Sequence, residues 1–262
     1  MKKQFKTWMF RLMVTGFFLL GLLVTFMLSP ILLYANKTKA GNYTIYHNKP
    51  LSNNFLQELK QSNILIKSSE LYDPKLKIDV CLKDGSNYPK LIKAVMGKDF
   101  VSSFYNKIIL TGDTVNYNEN YIQLDGHKWN LTQMLAHAQV HCLEFNKYGL
   151  WQSNPIGKHP VWKWEGYPEY IARQNFDQTN LQNNLQKLLQ IESTTNNGWM
   201  KFSDSTETSI VFDEYRLLIQ YCIEIKKMPF VGLMKDTTGE KVVKQQMIHW
   251  YNRQQKVTSK NL

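Results

Sequence analysis

The longest apolar run in the chain comes first. Residues 12–36, LMVTGFFLLGLLVTFMLSPILLYAN, carry no charge, and such a run exceeds the roughly 20 residues a bilayer-spanning helix needs. It predicts a transmembrane anchor. A signal peptide has an apolar region of only about 7 to 15 residues before a small-residue cleavage site. The TKAG that follows here matches such a site poorly, so the segment reads as retained. Beyond it the periodicity shortens to two. GNYTIYHNKP alternates and ends in a turn, and LKIDVCLKDG sets Leu76, Ile78, Val80 and Leu82 against polar neighbours before Asp84-Gly85. Both predict strands. KIILTGD reads as a further strand, and NYIQLDGHK as a strand or an extended loop.

Helical spacing is interleaved with these strands and then takes over. LSNNFLQELKQSNILI, with Ser52 at the N-cap position, reads as a short amphipathic helix. Residues 86–104, around YPKLIKAVMG, fit either helix or loop. A helix starts near Asn130 or Thr132 and stops at Gly149. From residue 162 on, WKWEGYPEYIARQNF, NLQNNLQKLLQIE, SIVFDEYRLLIQYCIEI and KVVKQQMIHWYNRQ all read as helices, with Pro229 and Gly239 as breaks. Strands first and helices later predict an α+β fold, with a small N-terminal sheet and a helical C-terminal half. The organisation expected is a basic flank and anchor over 1–36, then one domain over 40–256.

Charge adds an orientation. Lys2, Lys3, Lys6 and Arg11 precede the apolar run with no acid among them, and positive flanks stay cytoplasmic. The expected location is the cell membrane, single-pass, with the N-terminus cytoplasmic and the domain extracytoplasmic. Four of the 32 basic residues belong to that flank, which leaves 28 against 21 acidic residues. The excess is spread out, without a dense basic run, so it gives no nucleic-acid footprint. A negatively charged membrane or wall surface is the more natural neighbour. Cys81, Cys142 and Cys222 lie in apolar contexts with no C-x-x-C pair, which fits buried inert thiols rather than a disulfide framework.

The candidate chemistry sits in LTQMLAHAQVHCLEF. His137 and His141 are four residues apart, offset by about 40° around a helix, so both rings can reach one ion. Two ligands are too few for a catalytic zinc, which takes three from the protein and leaves one position open. Downstream, PVWKWEGYPEYIAR offers Glu165 and, one turn later, Glu169. Alone, the histidine pair also suits an ordinary structural helix, and Glu165 a helix N-terminal acid.

Together the two segments resemble the gluzincin metallopeptidases of the peptidase MA-like group, whose pattern is H-E-x-x-H followed by a helix of the type W-x-x-E-G-x-A-x-Y. Trp162, Glu165, Gly166 and Tyr170 match, and Pro168 replaces a small residue. The resemblance runs from KIILTGD, which would form the substrate-facing edge, through the C-terminal helices. It implies zinc held by His137, His141 and Glu165, Glu169 as an acid orienting a ligand histidine, and Tyr215 as a candidate to stabilise the transition state.

Ala138 departs from that pattern, because the family's glutamate there moves the proton between water and the leaving amine, and alanine can do neither. Gln139 lies about 200° around the helix from His137 and faces away. Glu144 is better placed as a partner of a ligand or as an alternative third ligand. The implied function is therefore a membrane-anchored, catalytically impaired metallopeptidase-like protein that binds zinc and a peptide or protein partner. The alternative is an active zinc-dependent hydrolase using a non-standard base such as Glu144 or Glu169. The tryptophans Trp151, Trp162 and Trp164 fit core and rim packing. His159, on the loop between the two motif helices, is the remaining histidine nearest the motif.

Overall fold

Helix α1 (Lys2–Leu28) takes up most of the apolar run. Its Trp8–Leu28 portion is long and apolar enough to cross a membrane, a length and composition that a signal sequence shares, and none of it is fully buried, although Met27 near its end packs against the domain. The computed structural model describes residues 2–173, 178–194 and 198–258. The helix stops short of the uncharged run's end because Pro30 opens a single 3₁₀ turn, Pro30–Leu33, and a proline cannot continue the helical hydrogen bonding. Three hydrogen bonds then tie this exit to the domain. The Tyr88 hydroxyl donates to the Met27 carbonyl at 2.5 Å, Ser86 to that of Leu33 at 2.7 Å, and Tyr34 to that of Leu82 at 2.8 Å.

The domain alternates strands and helices at first: β1 (Asn36–Ala40), β2 (Tyr43–His47), α2 (Asn53–Leu65), β3 (Ile78–Cys81), α3 (Tyr88–Met96), β4 (Val101–Phe104) and β5 (Lys107–Leu110). These strands form one sheet in the order β1-β2-β3-β5-β4. Its three central strands run parallel and its two edges antiparallel. A three-stranded meander follows, β6 (Thr114–Asn116), β7 (Tyr121–Leu124) and β8 (His127–Asn130), and its last residue caps α4 (Leu131–Tyr148). There the Asn130 side chain accepts the Gln133 N–H at 3.1 Å, satisfying one of the open donors of the first turn.

Next come α5 (Val161–Ala172), α6 (Leu181–Thr194), a hairpin of β9 (Trp199–Lys201) and β10 (Glu207–Ser209), α7 (Ile210–Gln220), α8 (Phe230–Lys235) and α9 (Glu240–Thr258). Helix α7 runs on into one π-helical turn, Tyr221–Ile225. The fold is thus mixed α+β with one N-terminal apolar helix.

Several expectations need correction in detail. The strand KIILTGD is β5, inside the sheet; the free edge beside α4 is β4, in the stretch the sequence left ambiguous. Strand β1, NKTKA, has no run of large apolar residues, as befits an edge strand whose lysines discourage further pairing. The C-terminal half contains the β9–β10 hairpin as well as helices. Ser52 occupies the N-cap of α2, but its side chain makes no capping bond. The end of the helix expected over 162–176 lies at residues 174–176, outside the described residues.

Helix α4 is the centrepiece. Every residue from Leu131 to Phe145 is buried, as expected of a helix enclosed on all sides rather than one with a single apolar stripe. One side, with Leu135, Ala138 and Cys142, packs into the sheet core beside Ile45, Val80 and Ile108. Another, with Ala136, Val140 and Leu143, packs into the helical core beside Trp162, Leu217 and Leu218. What remains of its surface carries His137 and His141.

Candidate metal centre

Helices α4 and α5 bring the three sequence-predicted ligands together. Glu165 owes its position to its neighbour Gly166. A side-chain carbon at 166 would stand 2.6 Å from the Tyr215 carbonyl oxygen and 2.8 Å from Ile219 Cγ1, so only glycine lets α5 approach the backbone of α7 this closely. The Glu-Gly pair therefore combines close helix packing with a candidate ligand. Pro168 lies within α5, which continues to Ala172.

The ligand atoms form a tight triangle. His137 Nε2 and His141 Nε2 are 3.0 Å apart, and Glu165 Oε2 lies 3.3 Å from His141 Nε2 and 3.4 Å from His137 Nε2. Atoms bound to one zinc at about 2.0–2.1 Å in tetrahedral geometry lie about 3.3–3.4 Å apart. The circle through these three atoms has a radius of about 1.9 Å, just under that bond length. One ion can thus touch all three from slightly outside their plane and keep a face open.

The other ring nitrogens fix the sense of the imidazoles. His137 Nδ1 is 2.8 Å from Glu169 Oε1, and His141 Nδ1 is 2.7 Å from Glu144 Oε2. A carboxylate accepts, so both Nδ1 atoms carry a proton, and each Nε2 presents a lone pair once it has shed its own. Two imidazole lone pairs and a carboxylate oxygen then converge on one point, an arrangement that repels itself unless protons or a metal ion stand there. His137, His141, Glu144 and Glu169 are all buried, with Glu165 partly so.

Electrostatics follow the same logic. Burial lowers the pKa of His141, but Glu165 and Glu144 outweigh it and lift the group to about 10. Burial likewise opposes the charged form of His137, and its bonds to Glu165 and Glu169 reverse the sign, leaving it raised. Glu169, which burial alone would push up, is held at about 2 by Arg173 and His137. Glu165 is drawn below the ordinary carboxylate range against burial, chiefly by His141. Glu144 is pushed by burial up to about 7, its bond to His141 opposing the shift.

A buried network holds the supports. Glu169 Oε2 accepts from Arg173 Nε at 2.5 Å, and Arg173 Nη1 donates to Gln133 Oε1 at 3.1 Å. The Gln133 amide in turn donates to Gln178 at 3.0 Å. The guanidinium also lies over the Trp129 and Phe202 rings, 5.0 and 4.7 Å from their centroids.

The candidate ligands face a cavity of about 550 Å³, walled by Phe100, Trp129, Trp164, Trp199 and Phe212 and by Val101–Ser103 of edge strand β4. Three carboxylates line it: Glu165, Glu169 and Asp99. Asp99 lies just before β4, in the stretch the sequence left unassigned, and only the later pairing of β4 with β5 reveals its position. Ala138 offers no polar atom, and it packs toward the sheet.

The other expectations divide. Glu144 is a support for His141 rather than a third ligand. Gln139 faces away, bonded to Tyr43 at 2.7 Å and Ser62 at 2.6 Å. Tyr215 is not among the cavity residues. It packs against the helical core, while Phe212, one turn earlier, lies on the cavity wall with its ring 6.4 Å from that of His137. His159 joins the rim through rings: it stacks on Trp164 at 5.4 Å, and Trp164 stacks on His141 at 6.0 Å. The three cysteines are free and buried.

Compared with family models, curated proteins and solved structures, the chain matches none.

Proposed function

We propose that this is a membrane-anchored, gluzincin-like protein whose domain holds one zinc ion on His137, His141 and Glu165 and receives an extended peptide or protein segment in the adjoining cavity, with ordinary peptide hydrolysis impaired. The observation that carries the reading is the convergence of three acceptor atoms on one point, each imidazole being locked by a carboxylate behind it. Zinc, when bound, would supply Lewis acidity toward a carbonyl and acidify water.

The chain's own residues do the rest. Glu169 and Glu144 orient the rings, the free side of β4 offers backbone donors and acceptors to an extended chain, and the aromatic walls accept apolar side chains. The helix carrying the histidines provides no proton acceptor at Ala138, so the family's usual proton transfer is missing there.

Two observations support a retained anchor. Cleavage at TKAG would cut away β1, whose five residues pair with β2, and the end of α1 is bonded to Tyr88. The basic flank supports a cytoplasmic N-terminus and an extracytoplasmic domain.

The test is metal content. The full chain in detergent, equilibrated with Zn²⁺, should retain one ion per chain, and His141→Ala should retain none. Equal retention by both proteins, or none by either, overturns the reading.

A second reading, an active hydrolase with a different base, is favoured by one observation. Glu144 and Glu169 are committed to the histidines, but Asp99 on the cavity wall is not.

A further inference from the structure

Among the described carboxylates of the cavity, Asp99 alone has no role in building the metal centre. Glu165 belongs to the ligand triangle, and Glu169 is spent on His137 and Arg173. Glu144 is fully buried, lies outside the cavity lining and is bonded to His141. Asp99 is exposed to the water of the cavity.

Its position is also fixed. Asp99 Oδ1 accepts the Phe100 N–H at 2.7 Å, and its backbone carbonyl accepts the Thr111 hydroxyl at 2.9 Å. The Phe100 carbonyl accepts the N–H groups of Thr111 at 3.0 Å and Gly112 at 2.8 Å, and the Phe100 ring packs edge-on to Trp129 at 5.3 Å. The residue is thus seated on the junction of β4 and β5, and Oδ2 is left without a hydrogen-bond partner among the described residues. Lys98, its basic neighbour in sequence, is engaged with Asp125 at 2.6 Å.

We propose that Asp99 supplies, from the strand side of the cavity, the proton-transfer carboxylate that the histidine helix lacks at Ala138. The proposal rests on the metal-site reading above and deepens its second form. In the step envisaged, the oxygen of an attacking water bonds to the amide carbon of the bound segment while one water proton passes to Asp99. The carbon–nitrogen bond then breaks, the nitrogen takes that proton from Asp99, and the other water proton remains with the carboxylic acid product. Asp99 ends as the carboxylate it began as, so atoms and charge balance with water as the only co-reactant.

Two features suit it to the role. Desolvation by the cavity walls raises its pKa, with Glu165 adding to the rise and the Phe100 N–H and the charges of His137 and His141 opposing it, so its carboxylate is a better proton acceptor than one in open water. Its one hydrogen bond leaves Oδ2 free to receive the proton.

The discriminating variant is Asp99→Asn, which keeps an oxygen to accept the Phe100 N–H but cannot take a proton. Three readouts are made on the full chain in detergent: zinc content, hydrolysis of a pool of quenched fluorogenic peptides, and calorimetric binding of a phosphonamidate peptide, a tetrahedral anion mimicking an attacked amide. The calorimetry is run in two buffers of different ionisation enthalpy. The expected results are one zinc in both proteins, hydrolysis reduced about 10²-fold or more in the variant, and uptake of about one proton on phosphonamidate binding by the wild type only.

Unchanged hydrolysis or unchanged proton uptake in the zinc-loaded variant overturns the assignment. So does a zinc-loaded wild type that neither hydrolyses the pool nor takes up a proton, an outcome that leaves the metal site itself standing. A wild type that binds no zinc removes the reading beneath it and the proposal together.

Discussion

Glu169→Gln is the perturbation that most sharply separates a held metal site from an incidental cluster. The carboxylate serves two buried partners at once, His137 Nδ1 at 2.8 Å and Arg173 Nε at 2.5 Å, and both Glu169 and Arg173 are almost wholly buried. A glutamine of the same shape has one acceptor and one donor, so it can satisfy the histidine or the arginine but not both. Removing one charge of a buried pair costs about 3–5 kcal/mol. The low end applies here, because Arg173 keeps its bond to Gln133 and its two aromatic faces.

For a domain of this size each kcal/mol lowers the melting temperature by about 2–4 °C, so the metal-free variant should melt about 6–12 °C below the wild type. Zinc affinity should fall about 10–100-fold, the usual effect of losing a carboxylate behind a ligand histidine. The sign with pH is also set. Glu169 is held at about 2 in the fold against an ordinary 4.5. Its contribution is therefore complete above about pH 4.5 and lost as the pH falls toward 2. The wild type should show that acid-side slope and the variant should not. Thermal melts of the metal-free proteins and competitive titration with a chromophoric chelator measure both effects. A variant that melts with the wild type and binds zinc as tightly refutes the reasoning.

Three further outcomes follow. Glu144→Gln, whose carboxylate is bonded to His141 alone whereas Glu169 serves both His137 and Arg173, should weaken zinc binding like Glu169→Gln while costing the metal-free fold less; equal loss of stability in the two variants contradicts this division of labour. Zinc affinity should rise with pH, because His141, lifted to about 10 in the metal-free site, and His137 must shed their protons to bind metal. The dissociation constant should tighten about tenfold per pH unit for each proton released, and chelator titrations between about pH 6 and 8 giving a flat profile count against it. Gly166→Ala, driving a carbon to within 2.6 Å of the Tyr215 carbonyl, should destabilise the domain by about 1–3 kcal/mol and weaken zinc binding by shifting Glu165. Chemical denaturation together with the same titration reads both.

How much of this was legible in the sequence depended on whether the information was local. Helical spacing set His137 and His141 on one face, and a Glu-Gly pair further on supplied the third candidate ligand. The uncharged run marked the N-terminal apolar helix, although Pro30 ends that helix earlier than composition suggested. Strands with alternating apolar residues were visible, whereas β1, an edge strand built on lysines, was not. The role of β4 was hidden because an edge is defined by pairing between strands rather than by their composition. Glu144 carried two readings until the ring geometry assigned it to His141 Nδ1. Asp99 had no sequence signal at all: only the folding of β4 against α4 brings it to the cavity. Tyr215 was a candidate only through the family resemblance, and it is Phe212, one turn earlier on α7, that lines the cavity.

Zinc K-edge X-ray absorption on the metal-loaded full chain tests the central claim most directly. It should show a four-coordinate ion with two imidazole nitrogens and oxygen ligands at about 2.0–2.2 Å, and the His141→Ala protein, which retains no ion, should give no bound-zinc spectrum. A wild-type spectrum with sulfur ligands, or without imidazole scattering, contradicts the account.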